Sequence, residues 1–422
     1  MAKKLQSIRG IHDGLPHDVA RWQQVERVAR QVFSNYAFSE VRLPVLEPTE
    51  LFVRSIGEAT DIVSKEMYHF VDQGEDAICL RPEGTAGAVR AYLQAGLTRA
   101  GQQRWFYTGP MFRRERPQKG RLRQFQQMGA ECFGAAGPLA DAEVLAMGWQ
   151  LVTQLGLQEL TMEINSLGCS ACRPAYREAL VNFLQQKSEH LCETCIQRID
   201  SNPMRVLDCK NETCQQQLHD APEMIRHLCS DCDTHWAGLQ QGLATLDVPY
   251  RINPRIVRGL DYYNRTAFEI ITDQLGAQGT VLAGGRYDGL IGELGGPATP
   301  AIGFAAGMER LALLLPETKA VSAQVTVVAI GDDNISTASL RHAHSLRQAG
   351  ISTIHAGGGA MKRQMKIADR ENTAFCMIIG EDELAAQQVV LKKMCDGSQQ
   401  TLSLDAAMEY IQDSSLMTVG QK

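Results

Sequence analysis

The sequence predicts a mixed α/β protein, in which an α+β domain with an antiparallel sheet is interrupted by a helical insertion and followed by a C-terminal α/β domain. Three observations predict this class. Two strand-like arms flank a basic loop in residues 105–134, eight of the twelve cysteines lie in the polar, helical stretch from Cys169 to Cys232, and strands alternate with helices after residue 325. A chain of 422 residues is long enough for two or three domains. The expected boundaries are 1–168 and 247–318 for the two parts of the first domain, 169–246 for the insertion, and 325–422 for the last domain.

Composition and charge exclude several classes of protein. A hydrophobic content of 44% is ordinary for a soluble globular protein, and the net charge of −6 means that a nucleic acid would be bound by local basic patches. The start, MAKKLQSIRG, has no apolar core after its charges, which argues against a signal peptide, and no run reaches the length of a membrane span. We therefore expect a cytoplasmic protein whose cysteines are reduced or bind metal.

The first predicted element is an amphipathic helix that opens at Leu15-Pro16. Apolar residues recur at helical spacing at Val19, Trp22, Val25, Ala29, Val32, Phe33 and Tyr36. A strand is expected at Val41 to Leu43, ending at Pro44. A core helix and strand explain the pattern without any further function.

A short motif, Arg81-Pro82-Glu83-Gly84-Thr85, follows the apolar segment Ala77 to Leu80 and precedes a predicted helix. A carboxylate and a hydroxyl at such a turn can hold an ammonium group. The alternative is that Glu83 favours the helix dipole from the first turn.

The stretch from Trp105 to Gly134 is predicted to be strand, loop and strand, because Pro117 and Gly120 break its middle. Alternation places Arg113 on the face of Tyr107 and Met111. One face of the second arm carries Phe125, Gln127, Gly129, Glu131 and Phe133. The loop carries Arg114, Arg116, Lys119, Arg121 and Arg123 against the single acid Glu115. This combination suits a polyphosphate beside a small polar molecule, whereas the alternative is a hairpin with a solvated basic tip.

The next segment leads into the cysteine-rich insertion. Asp141 is expected to cap a helix that runs to Leu155 and is closed by Gly156, and a strand is expected at Leu160 to Ile164. The cysteines form three C-x-x-C pairs and one looser pair, at Cys169 and Cys172, Cys192 and Cys195, Cys229 and Cys232, and Cys209 and Cys214. Three such pairs in one short window predict structural zinc, and eight thiolates would fill two sites, although the sequence leaves the pairing open. The alternative is that these cysteines are reduced bystanders.

Three further motifs follow the insertion. Residues 257–263 read VRGLDYY and precede a β-rich run from Thr266 to Thr272, and residues 283–289 read AGGRYDG. A glycine pair allows either close approach to a ligand or a tight turn. Residues 301–315 read AIGFAAGMERLALLL, which predicts a strand of small residues and then an apolar helix.

The C-terminal region follows a linker at residues 316–324. Strands are expected at Val325 to Ile330, Ser352 to His355, Phe375 to Ile379 and Val389 to Met394, with helices between them. One of those helices has a basic face formed by Lys362, Arg363, Lys366 and Arg370, for which a solvated surface is the alternative to a binding role.

These motifs together resemble the histidyl-tRNA synthetase family of class II aminoacyl-tRNA synthetases. The segment FRRE at residues 112–115, followed by RQFQQMGAE, is similar to the second class II motif. The predicted helix and strand that end at Pro44 resemble the first motif, which forms the dimer interface in that family. Residues 301–315 resemble the third motif. Residues 257–263 and 283–289 resemble the two histidine motifs. The third motif departs from the class pattern at Ala305, where glycine is usual, although Gly303 and Gly307 remain.

The resemblance implies a two-step reaction, with histidyl-adenylate formed from L-histidine and ATP and then used to charge tRNA. The implied catalytic residues are Arg113 and Arg258. The implied ATP-binding residues are Arg113, Glu115, Arg121, Phe125 and Arg310, with Mg²⁺ accompanying ATP. The implied histidine-binding residues are Glu83, Thr85, Gln127, Glu131, Tyr262, Tyr263 and Tyr287. For Arg258 the alternative is a salt bridge to Asp261 that shapes the turn.

The expected partners are L-histidine, ATP, tRNA(His) and a second copy of the chain, with no membrane. A second function is a catalytically inactive regulatory subunit of ATP phosphoribosyltransferase, which binds histidine. Such proteins resemble the catalytic domain but lack the anticodon-binding domain. Because this chain keeps residues 325–422 and Arg258, the sequence favours the synthetase.

Overall fold

A computed structural model describes residues 4–57, 60, 62–118, 120–258, 260, 262–276, 279–317 and 323–419. The chain divides into two units, Met1–Thr318 and Lys319–Lys422. Three residues named in the sequence analysis, Lys119, Gly259 and Asp261, lie outside the described part. No helix in the described ranges combines the length and the apolar character needed to cross a membrane.

The first unit contains eleven strands and ten helices in the part of the chain that is described. The strands are β1 (Ser39–Glu40), β2 (Leu46–Pro48), β3 (Tyr68–Val71), β4 (Ala77–Leu80), β5 (Gln103–Phe112), β6 (Gln124–Phe133), β7 (Leu160–Ser166), β8 (Arg251–Ile252), β9 (Asn264–Thr272), β10 (Thr280–Arg286) and β11 (Ala301–Gly307). The helices are α1 (Pro16–Asn35), α2 (Thr49–Ile56), α3 (Thr85–Gln94), α4 (Pro138–Gln154), α5 (Arg173–Gln186), α6 (Glu193–Ser201), α7 (Glu212–Gln217), α8 (Ser230–Thr245), α9 (Leu290–Glu293) and α10 (Met308–Leu314).

Eight of these strands form one sheet in the order β1-β5-β6-β11-β10-β9-β7-β8. All neighbours are antiparallel except the two edge pairs, β1 with β5 and β7 with β8. The predicted antiparallel sheet is therefore confirmed. A second sheet of three strands has the order β2-β4-β3.

The predicted hairpin is confirmed as β5 and β6, which pair along ten residues each. Met111 lies opposite Phe125 and Gly109 lies opposite Gln127. The loop turns at Gly120, whose φ of +72° is a conformation that a side chain disfavours. The hairpin thereby projects alternate residues of β6 from one face of the sheet.

The first predicted helix is confirmed, with Pro16 as its first residue and Val25, Ala29, Val32 and Phe33 buried. The predicted strand at Val41 to Leu43 is wrong, because β1 ends at Glu40. The carbonyls of Leu43 and Pro44 instead accept hydrogen bonds from the Arg81 guanidinium, at 2.8 and 3.1 Å. A side chain therefore replaces the neighbouring strand as their partner.

The prediction that Asp141 caps a helix is also wrong. α4 begins three residues earlier at Pro138, with Gly137 as its N-cap, because proline suits the first position of a helix. Asp141 is fully buried in the helix, where it forms an ion pair with Arg286 and accepts a 2.5 Å hydrogen bond from Thr266. It links the helix to the sheet.

The glycine pair Gly284 and Gly285 lies in the middle of β10, so the tight-turn interpretation is wrong for it. A Cβ on Gly284 would collide with the Gly303 carbonyl, and one on Gly285 would collide with the Thr266 carbonyl. The glycines are needed because neighbouring strands approach closely.

Residues 169–246 form helices α5 to α8, with cysteines built into their apolar core beside Tyr176, Leu180 and Leu184. The last helix, α8, also contributes Trp236 and Leu239 to the main core of the first unit. The helical part of the insertion is thus continuous with the body of the unit through α8.

The second unit is a five-stranded sheet flanked by helices. Its strands are β12 (Val325–Ala329), β13 (Thr353–His355), β14 (Phe375–Ile379), β15 (Val389–Lys393) and β16 (Gln399–Leu402), and its helices are α11 (Asp333–Gln348), α12 (Met361–Arg370), α13 (Glu381–Ala385) and α14 (Leu404–Val419). The order is β13-β12-β14-β15-β16, with the first three parallel. The predicted α/β pattern is confirmed, and the basic residues of α12 are exposed.

Candidate active site

A cavity of about 580 Å³ lies in the first unit, bounded by the hairpin, β10, α10 and the segment around residues 257–263. Residues of the insertion, Arg205, Asp208 and Lys210 among them, also line it. Most of the residues singled out from the sequence therefore meet at one place.

Phe125 and Arg113 form one wall of this cavity. The Arg113 guanidinium carbon lies 5.4 Å from the centre of the Phe125 ring, and its Nε donates to the Pro82 carbonyl at 2.9 Å. These two contacts fix the guanidinium while leaving other N–H groups for a ligand.

Glu115 and Arg121, both predicted to bind ATP, form an ion pair with each other. Arg121 Nη1 lies 2.9 Å from Glu115 Oε2, and the Arg121 side chain is 41% exposed. The Glu115 side chain is only 14% exposed, so Arg121 is the accessible partner, and its other N–H groups remain for a phosphate.

Arg310 and Glu309 enter the cavity from the start of α10. Burial, and then the nearby charge of Arg121, lowers the pKa of Arg310. Glu309 accepts a hydrogen bond from the Gln126 N–H at 2.7 Å through Oε1, whereas its buried Oε2 has no partner in the part of the chain that the structure describes. Burial raises the pKa of Glu309 to about 7.

Arg258 lies against Tyr263, with its guanidinium carbon 5.0 Å from the ring centre. Its ion-pair partner is Glu269 on β9, at 2.7 Å, and Thr280 donates to the other oxygen of Glu269 at 2.8 Å. The alternative partner, Asp261, lies outside the described residues. Among the described residues, Arg258 Nε is buried without a hydrogen-bond partner.

Glu83 stands at the start of α3, where its oxygens accept the backbone N–H groups of Thr85 and Ala86 at 2.6 and 2.8 Å. This is the helix-start role that the sequence allowed. The carboxylate is nonetheless a cavity residue, and burial raises its pKa. It can therefore serve both the helix and a ligand.

Glu131 is fully buried and surrounded by hydroxyl groups. Thr85, Tyr107 and Tyr287 donate to it at 2.8, 3.2 and 2.5 Å. Burial raises its pKa to about 8. Gly303 is required beside it, because a Cβ there would collide with Glu131 Oε2.

Gln127 and Tyr262 are buried cavity residues, and each has a polar side-chain atom without a partner. Within the described ranges, no hydrogen-bond partner is found for Gln127 Oε1 or for the Tyr262 hydroxyl. The Tyr262 and Tyr263 rings lie 4.6 Å apart, and Tyr287 packs edge-on against both. Because buried polar groups are almost always paired, these atoms indicate a polar ligand.

The eight insertion cysteines form two groups. They are Cys169, Cys172, Cys229 and Cys232, and Cys192, Cys195, Cys209 and Cys214, with the ligand atoms of each group within 4.8 Å of one another. Either group could hold a metal ion.

Four acidic residues of the cavity were missed in the sequence analysis, Glu66, Asp208, Glu269 and Glu309, and the last two lie beside the arginines of the site. Glu269 lies in a strand pattern and Glu309 precedes a motif arginine, so neither has a distinctive local signal. The ion pair between Arg258 and Glu269 on β9 forms only when the chain folds. Ala305 lines the cavity and leaves it open.

The antiparallel sheet is built around a hairpin that carries Arg113, and Arg310 lies at the start of α10, the helix that follows β11. This arrangement defines a class II aminoacyl-tRNA synthetase. Two family descriptions match the chain: Histidyl-tRNA synthetase over residues 10–311, and Anticodon binding domain over residues 324–414. The chain belongs to the histidyl-tRNA synthetase family.

Individual relatives agree with this assignment. The chain is 49% identical to proteins named Histidine--tRNA ligase from Trichlorobacter lovleyi, over 96% of this chain and 97% of that protein, and from Geobacter metallireducens, over 95% and 98%. Its structure is similar to apo histidyl-tRNA synthetase of S. aureus, with a TM-score of 0.80, 35% identity and coverage of 97% of this chain and 100% of that one. These matches extend over almost the whole chain.

Proposed function

We propose that this chain joins L-histidine to tRNA(His) in two steps within the cavity. In the first, a carboxylate oxygen of histidine bonds to the α-phosphorus of ATP, the bond to the β-phosphate oxygen breaks, and pyrophosphate leaves. In the second, the 3′-terminal ribose hydroxyl of the tRNA attacks the carbonyl carbon of histidyl-adenylate, and AMP leaves. The observation that carries this proposal is a single cavity lined both by arginines and by unpaired polar atoms.

Neither step needs a covalent nucleophile from the enzyme, because alignment and positive charge suffice. Arg113 and Arg258 hold the α-phosphate, where negative charge builds up. Support comes from their anchoring: each guanidinium is fixed by an aromatic ring and by one oxygen partner, which reduces the reorganisation needed during reaction.

The rest of ATP lies along the hairpin. Phe125 stacks on the adenine and Glu115 faces its polar edge, while Arg121 and Arg310 bind the outer phosphates. The lowered pKa of Arg310 supports this role, because Arg121 and burial both disfavour a charge there until an anion arrives.

Mg²⁺ accompanies ATP in this class of synthetase, and oxygen ligands suit it. Glu309 fits such an ion, because its buried Oε2 has no partner and would gain one from a cation. Both oxygens of Glu269 are already occupied by Arg258 and Thr280. Bound Mg²⁺ would neutralise phosphate charge, and Glu309 would orient it.

The histidine substrate binds to a second set of residues, separate from those that hold ATP. Glu83 and Thr85 bind its α-amino group, and Gln127, Tyr262 and Tyr263 surround the ring. Burial raises the pKa of Glu131, whereas hydrogen bonds donated to its carboxylate favour the ionised form, so a donated histidine N–H would stabilise the ionised state, which has about four lone-pair positions.

Glu131 accepts the imidazole N–H in this proposal. Thr85, Tyr107 and Tyr287 occupy three of the lone-pair positions of its carboxylate, which leaves one for the ligand. Tyr287 acts by orienting Glu131. A site that pairs polar groups in this way rejects apolar analogues strongly.

The remaining proposals concern the whole chain. We propose that residues 325–422 bind the tRNA anticodon region through the exposed basic face of α12, and that residues 169–246 contact the acceptor arm. We also propose a cytoplasmic homodimer. Exposed apolar residues on β2 and β3, such as Leu46, Phe70 and Val71, support a protein contact there.

The regulatory-subunit alternative is not supported. Such proteins lack an anticodon-binding domain, whereas residues 324–414 match one, and the 49% identical relatives are named as ligases. Aminoacylation tests the proposal: the full chain should charge a tRNA(His) transcript with histidine in the presence of ATP. Charging with another amino acid, or none under conditions where an established synthetase works, would overturn it.

A further inference from the structure

The two groups of cysteines have the geometry of tetrahedral metal sites. The sulfurs of Cys169 and Cys172, and of Cys169 and Cys229, are 3.7 Å apart, and those of Cys192 and Cys209 are 3.9 Å apart. Four sulfurs placed at a Zn–S distance of about 2.3 Å around a tetrahedral ion lie about 3.8 Å from one another. A disulfide would need about 2.05 Å, so these contacts are far too long for oxidised pairs.

The folding of the chain determines which pairs combine. The end cluster, Cys169, Cys172, Cys229 and Cys232, joins the first pair of the insertion to the last, and the inner cluster, Cys192, Cys195, Cys209 and Cys214, joins the two pairs between them. Each cluster contains one matching backbone contact to sulfur. The Cys229 N–H donates to Cys172 Sγ at 3.1 Å, and the Cys192 N–H donates to Cys214 Sγ at 3.2 Å. Such donors stabilise thiolate charge around a metal.

The surroundings explain why metal would be needed. α6 and α7 are nine and six residues long, too short to be stable alone, and the buried members of both clusters sit within the apolar core of the insertion. Eight uncoordinated thiols would leave this core without any cross-link. A metal ion at each cluster ties helices that the apolar contacts alone hold weakly.

We infer that the insertion binds two structural zinc ions, one in the end cluster and one in the inner cluster. Four protein thiolates around each ion leave no open position, which assigns zinc to structure and not to catalysis. Tetrathiolate sites suit zinc or iron, and metal analysis separates the two.

The end cluster is also attached to the proposed histidine site. Directly before Cys169, the Gly168 carbonyl accepts the Arg265 N–H at 2.8 Å, and directly after Cys172, Arg173 donates to the Tyr263 carbonyl. Gly168 has a φ of +58°, and a Cβ there would meet Cys172 Cβ at 2.8 Å. The end cluster therefore positions the Tyr263 segment, whereas the inner cluster lies beside Asp208 and Lys210, which flank Cys209 and line another part of the cavity.

Metal content of the full chain, purified without chelator, tests the sites directly. We expect two zinc ions per chain, one for each cluster. Substitution of Cys395, which is exposed and outside both clusters, by serine is the matched control and should keep both ions. The assignment would be overturned if the chain lacked stoichiometric zinc, or if it contained iron in place of zinc.

Double variants test the pairing. Cys169→Ser/Cys229→Ser removes two ligands of one cluster and should leave one zinc ion, whereas Cys169→Ser/Cys209→Ser damages both and should leave none. If neighbouring pairs in sequence combined instead, Cys169→Ser/Cys229→Ser would lose both ions, which would refute the pairing. Should a variant fail to fold, Co²⁺ substitution of the parent still tests whether the sites exist, because its visible spectrum must show tetrahedral thiolate coordination; its absence would overturn the metal sites.

The positioning role rests on the proposed function, and its readout is the KM for histidine. Loss of the end cluster through Cys229→Ser should raise this KM several-fold more than the KM for ATP. Cys192→Ser in the inner cluster, which lacks the Arg173 contact to the Tyr263 carbonyl, should show no such preference for histidine. An equal effect of both variants on both substrates would overturn the positioning role while leaving the zinc count unaffected.

Discussion

Replacing Arg258 by alanine should slow the formation of histidyl-adenylate by about 10²–10³-fold, the cost of removing one preorganised donor from a transition state, or about 2.7–4 kcal/mol. The structure favours a value within this range, because the side chain is 13% exposed and is held by Glu269 and by the Tyr263 ring. The substitution also leaves Glu269 with Thr280 as its remaining partner. Part of any loss could therefore come from an unpaired carboxylate and not from the phosphate contact.

Two further variants separate these causes. Arg258→Ala/Glu269→Gln removes the unpaired charge, so activity should stay low if the phosphate contact is what was lost. Arg255→Ala, an exposed arginine three positions earlier, should behave like the parent. The assay is single-turnover formation of histidyl-adenylate with saturating histidine and ATP, beside thermal unfolding of each variant. Near-normal adenylate formation by Arg258→Ala, or recovery in the double variant, would refute a catalytic role.

Three other predictions address the pocket, its electrostatics and the second unit. Gln127→Ala should raise the KM for histidine by about 5- to 150-fold, which corresponds to the roughly 1–3 kcal/mol cost of an unsatisfied polar partner, with little change for ATP; equal losses for both substrates would point to a structural role. Burial raises the pKa of Glu309 from 4.5 to about 7, so the folded chain favours the protonated carboxyl group. The stability that this form contributes is fully present below 4.5, the pKa of Glu309 in the unfolded chain, and is lost as pH rises through about 7. Without ATP and Mg²⁺, Glu309→Gln should therefore stabilise the protein at pH 8 by at most about 3 kcal/mol and hardly at pH 4, and thermal unfolding with no pH-dependent difference would contradict this. A chain ending at residue 317 should keep part of its adenylation activity but lose tRNA charging, and full charging by the shortened chain would exclude a tRNA-binding role for the second unit.

The sequence predicted those parts of the fold that depend on local pattern. The α1 helix, the β5–β6 hairpin and the β11–α10 unit follow directly from apolar spacing and from breakers such as Gly120. The errors occur where a distant side chain takes over a local role. Arg81 binds the carbonyls of Leu43 and Pro44 that a strand would have used, and no local pattern announces it.

The same limit applies to the site. Arg113 and Gln127 were found because alternation along the two arms of the hairpin assigns each of them to a face, whereas Glu309 was missed because its buried oxygen is significant only beside the folded hairpin. The alternative role for Arg258 was a salt bridge to its sequence neighbour Asp261, which lies outside the described residues, and the partner that the structure describes is the distant Glu269 on β9. The cysteine pairing likewise depends on how α5 and α8 meet, which spacing alone does not determine.

Histidine-dependent exchange of pyrophosphate into ATP tests the central claim most directly, because it requires ATP, histidine and the reversible formation of their adenylate in one cavity. We predict that the full chain, with Mg²⁺, incorporates labelled pyrophosphate into ATP when L-histidine is present and not when it is omitted or replaced by phenylalanine. Histidine binding with no exchange would contradict the account and would favour a regulatory protein.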